Sequence, residues 1–73
     1  MDHELERRQN AEANRFAIEL LMPARLVITA FCKLVAHPRP TEKAVVESMA
    51  RLFEVSEVMM TARLVELGLM MAP

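Results

Sequence analysis

TEKAVVESMARLFEVSEVMMTARLVELGL, residues 41–69, decides the fold class of this chain. Thr41 and Ser56 each stand just before a glutamate and an apolar run, and a hydroxyl at such a position accepts from the free backbone amides of a helix start. Glu42 and Glu57 then lie at the positive end of each helix dipole. Val45, Val46, Met49, Ala50 and Phe53 recur at helical spacing and form the buried stripe of the first helix. In the second, Val58, Ala62 and Val65 are expected to face inward, flanked by Met59 and Leu64, and Gly68 supplies a left-handed stop. A break near Glu54-Val55-Ser56 leaves room only for a tight turn, so residues 41–69 are expected to form a helix-turn-helix-like pair.

Upstream, prolines divide the chain in the same way. A helix is expected from about Glu4 to Leu21, with Ala13, Phe16, Ala17 and Leu20 as the stripe that faces a core. Pro23 suits the first turn of a second helix, where its missing amide proton would be unpaired anyway. Leu26, Val27, Ala30, Phe31 and Leu34 carry that helix to about Ala36. His37-Pro38-Arg39-Pro40 reads as a short extended connector. The expected architecture is therefore all-α, four short helices in a small bundle forming a single domain over residues 1–73, with two helices in 4–36 and the pair in 41–69. Met70-Met71-Ala72-Pro73 is expected to be a loose tail or a docking strip.

Composition sets the bounds. A chain of 73 residues is near the size at which one hydrophobic core is marginal. Its hydrophobic content of 53% is interrupted by charges throughout, and an uncharged run such as Leu26–Cys32 is far short of the roughly 20 residues a bilayer demands. No signal-peptide pattern follows MDHELERR, so a soluble, cytoplasmic protein is expected, with no membrane partner. The single cysteine, Cys32, excludes an intramolecular disulfide and is expected to be a small buried hydrophobe.

Net charge is −1, unevenly spread. Residues 1–22 and 41–73 are acidic on balance, and Arg25, Lys33 and Arg39 make the middle basic. Nowhere is there the dense basic patch that phosphate-backbone binding requires. Between Ser56 and Leu67 the sole cation is Arg63, opposed by Glu57 and Glu66, so nucleic-acid binding by the second helix of the pair is disfavoured.

Residues 12–23, EANRFAIELLMP, carry the chemical signal. Glu12 lies at the edge of the first helix's stripe, about 100° from Ala13. Taken alone it fits an exposed carboxylate paired with Arg15 or Arg8 on the same helix. Yet the string resembles the Glu-Ala-Asn…Phe-Ala…Leu-Leu-Met-Pro signature of the ImmA/IrrE-type zinc metallopeptidases, and RLFEVS…RLVELGL resembles the helical pair that follows it there. In that family, the resemblance implies, Glu12 is the third zinc ligand and Asn14 helps orient the site. Full-length relatives would use zinc to cleave a repressor protein.

Catalytic zinc takes three protein ligands and activates a water in the fourth position. The family's other two ligands are histidines in a His-Glu-x-x-His helix, which this sequence lacks. HELER, residues 3–7, begins like that motif but has Arg7 in place of the second histidine, and His37 reads as a connector residue. The resemblance therefore implies that this sequence corresponds to the C-terminal portion of a catalytic domain only. No cofactor is expected in this chain and no peptidase activity from it alone, which points to a truncated or degenerate family member. Its expected partners are the missing N-terminal catalytic segment or a second copy. Two alternatives stand beside this one: a small DNA-binding or transcription-regulatory module on residues 41–69, and a helical interaction module using Met59, Met60, Met70 and Met71.

Overall fold

The computed structural model describes residues 15–36 and 40–72. It is all-α over these residues, a small bundle of short helices with no strand among the described residues. Helix α1 is described over 15–21, followed by α2 Ala24–Ala36, α3 Glu42–Phe53 and α4 Glu57–Glu66. Helix α3 packs against both α2 and α4. None of the helices described is long and apolar enough to cross a membrane.

Both expected N-caps are present. The Thr41 hydroxyl accepts from the Ala44 amide at 3.1 Å, and the Ser56 hydroxyl accepts from the Met59 amide at 3.1 Å. Each removes one unpaired donor from a helix start. Helix α2 begins one residue later than expected. The carbonyl of Pro23 accepts from the Val27 amide at 3.0 Å, so Pro23 caps the helix and Ala24 opens it.

Helices α3 and α4 end in the same backbone motif. After α3, the Val55 amide donates to the Ala50 carbonyl at 3.0 Å and the Glu54 amide to Arg51 at 3.3 Å. After α4, the Leu69 amide donates to Leu64 at 2.9 Å and the Gly68 amide to Val65 at 3.0 Å. These are Schellman closures, which need a left-handed residue just past the helix. Gly68 fills that place at φ 75°, as expected, whereas Glu54 fills it at φ 57° with a side chain that disfavours the conformation.

The core consists of Met22, Val27, Val45, Val46, Met49, Ala50, Met60 and Leu64. The stripe expected on α3 is the buried one, with Phe53 half-buried beside it. Three of the largest fully buried side chains are methionines, Met22, Met49 and Met60. Unbranched thioethers fill the irregular space between short helices.

Three expected faces are corrected. On α1, Phe16, Ala17 and Leu20 are exposed, Phe16 at 68% and Leu20 at 66%, while Ile18 and Met22 turn inward. On α4, Val58 and Ala62 face solvent and Val65 is half-buried; Met60, Arg63 and Leu64 are the buried set. In both helices the sequence offers two phases of apolar spacing. On α4 the phase carrying the longer side chains of Met60 and Leu64 takes the core, because it removes more apolar area from water than Val58 and Ala62 would. On α1 size does not decide, since the large Phe16 stays outside while Met22 turns in where its carbonyl meets Arg63. Cys32 is exposed, since it lies on the side of α2 away from the buried Val27. The tail is divided: Met70 packs against the core and Met71 is exposed.

Candidate functional site

The most chemically specific arrangement described lies where α4 meets the end of α1. Helix α1 stops because Pro23 cannot continue it, which leaves carbonyls without an amide partner at a negatively polarised helix end. Met22, at that end, is fully buried, and its amide closes the last turn onto the Ile18 carbonyl at 2.7 Å. Water cannot easily serve a carbonyl in such a place, so the chain must provide a donor.

Arg63 is that donor. Its Nε donates to the Met22 carbonyl oxygen at 3.1 Å. The rest of the guanidinium divides between two carboxylates, with Nη1 donating to Glu66 Oε1 one turn on and Nη2 lying 3.1 Å from Glu19 Oε1. The second contact is an ion pair outside hydrogen-bond alignment, so Nη2 has charge compensation but no well-formed hydrogen bond. Arg63 itself is only 4% exposed, while Glu19 and Glu66 keep about half of their side-chain surface in water. The buried cation is thus paid for by a carbonyl dipole, a helix C-terminus and two half-hydrated anions.

Arg63 comes from the RLVELGL string, and Glu19 and Met22 come from EANRFAIELLMP. Two separate segments of the sequence reading meet at one side chain. The sole cation between Ser56 and Leu67 is thus a buried one, and of the two glutamates set against it in the sequence Glu66 is its partner. This burial could have been found from spacing, because Met60, Arg63, Leu64 and Leu67 share one helical face, and Glu66 stands three residues after Arg63.

Glu12, assigned as metal ligand by resemblance, lies outside the described residues, as do Asn14, His3 and His37. Among the described residues no three side chains of histidine, cysteine, aspartate or glutamate converge on a point where a metal ion would sit. The exposed Cys32 belongs to no such group among the described residues. No family model, no curated protein and no solved structure matches this chain.

Proposed function

We propose that this chain is a non-catalytic helical portion of an ImmA/IrrE-type zinc metallopeptidase fold, serving to hold the segment that bears Glu12. The observation that carries this reading is the bond from Arg63 to the Met22 carbonyl. It ties the string resembling the family's ligand helix to the string resembling its following helical pair, as expected if the two belong to one structural unit. Relatives complete in their catalytic segment would cleave a repressor protein, and the same reading makes this protein cytoplasmic.

The residues present do not fit a zinc site by themselves. The sequence has two histidines, His3 and His37, at a separation unrelated to His-Glu-x-x-His. Two imidazoles on one helix face are what that motif supplies, so no hydrolytic step is assigned to this chain. The exposed Phe16 and Leu20 support the interaction side of the proposal, because an apolar helix face in water fits a docking role. A DNA-reading role draws no support from α4, whose arginine is already engaged with Met22, Glu19 and Glu66.

The test is the coding DNA immediately upstream. A segment encoding His-Glu-x-x-His, in the same or a shifted frame, is the expected result; an intact unrelated gene abutting this one would overturn the reading. Zinc titration of the purified chain, followed by calorimetry, is expected to give the same weak isotherm for the wild type and Glu12→Ala. A submicromolar site lost in that variant would show that the chain is a metal protein in its own right.

A further inference from the structure

We infer that copies of this chain associate head to tail, the outer face of α4 on one copy seating in the groove between α2 and α3 on another. The outer face of α4 is a stripe at coiled-coil spacing, Val58, Thr61, Ala62 and Val65, with Glu57 and Glu66 beside it. Val58 is its most prominent member, 81% exposed. Small residues at its centre allow a second helix to approach closely. The acceptor is an open apolar groove lined by Leu26, Ala30, Leu34, Leu52 and Phe53, with Lys33 beside them. Leu26 and Leu52 are each more than half exposed there.

Charge selects the occupant. Among the described residues, the lining of the α4 surface holds two glutamates and no base, and the lining of the α2–α3 groove holds a lysine and no acid. Pairing α4 with α4 antiparallel about its midpoint would set Glu57 against Glu66 of the other copy, a like-charge contact. Pairing α4 with the groove sets the Glu57 carboxylate against Lys33 instead, Glu66 being engaged by Arg63. Because the two patches differ, the contact is heterologous, and every open oligomer still offers one free patch of each kind at its two ends. The inference does not depend on the peptidase-like reading.

Sedimentation at a series of concentrations tests it. The weight-average mass should rise at least about half again between roughly 10 μM and 1 mM at low salt, and fall back at about 0.5 M salt, where exposed charges are screened. Val58→Asp removes the α4 patch, and a Lys33→Glu/Leu52→Glu double variant removes the groove. All three side chains are exposed, so both proteins should keep the wild-type circular dichroism. Each variant alone should stay monomeric, while an equimolar mixture should give a dimer and nothing larger, since one intact patch survives on each. A wild type that is monomeric at every concentration would overturn the inference. So would association that persists in either variant, or a mixture that fails to dimerise.

Discussion

Arg63 Nε and the Met22 carbonyl oxygen, 41 residues apart in sequence, are joined by a buried hydrogen bond of 3.1 Å. The bond closes the end of α1 onto α4 and makes a proline-terminated helix part of the core. A hydrogen bond to a charged donor contributes about 1.5–3 kcal/mol, and its carbonyl cannot be rehydrated without opening the packing.

Arg63→Ala is therefore expected to lower stability by about 2 kcal/mol, measured by urea denaturation, with the loss shared between the carbonyl bond and side-chain packing. Glu19→Ala, whose carboxylate is half in water, should cost no more than about 1 kcal/mol and less at high salt. Equal losses in the two variants would mean that the ion pair, not the carbonyl bond, holds α1.

Glu54→Gly should stabilise the protein by about 1 kcal/mol, because glycine adopts φ 57° without the penalty a side chain incurs. Gly68→Ala should destabilise it by a similar amount. A methyl group there meets nothing within 4 Å, so that loss would report backbone strain alone. Thermal melts of the two variants should move in opposite directions.

Thr41→Ala and Ser56→Ala each remove one cap bond and should each cost about 1 kcal/mol. The caps open different helices, so the double variant should show the sum of the two losses. A marked departure from additivity would mean that α3 and α4 start as one unit.

Leu64→Ala should cost about 2–5 kcal/mol, since the leucine is fully buried at the centre of the α4 face. Val58→Ala should change stability by less than about 0.5 kcal/mol. A larger effect at Val58 would restore the inward face that its spacing suggests.

The all-α class, both caps, the α3 stripe and the Gly68 stop were legible because each is a local matter of residue type and spacing. Faces of α1 and α4 were not, because each helix carries two apolar phases and only packing against a neighbour chooses between them. VMMTARLVELGL, residues 58–69, offers Val58-Ala62-Val65 and Met60-Leu64-Leu67, and the choice turns on whether Arg63 has somewhere buried to go. That destination, the Met22 carbonyl, is a backbone group with no signature in side-chain patterns. The same limit explains Glu54, since a glutamate in the left-handed region gives no warning in sequence that a glycine would.

A core built on Met22, Met49 and Met60 also sets how the protein meets oxidants. Folded, these thioethers are sealed from peroxide, whereas the Met71 thioether, 89% exposed, is open to it. Oxidation to the sulfoxide turns an apolar side chain polar, so once a core methionine is modified the chain cannot repack as before. Each transient opening is thus recorded chemically, and the ratio of oxidised Met60 to oxidised Met71 becomes a clock for how often this small bundle comes apart.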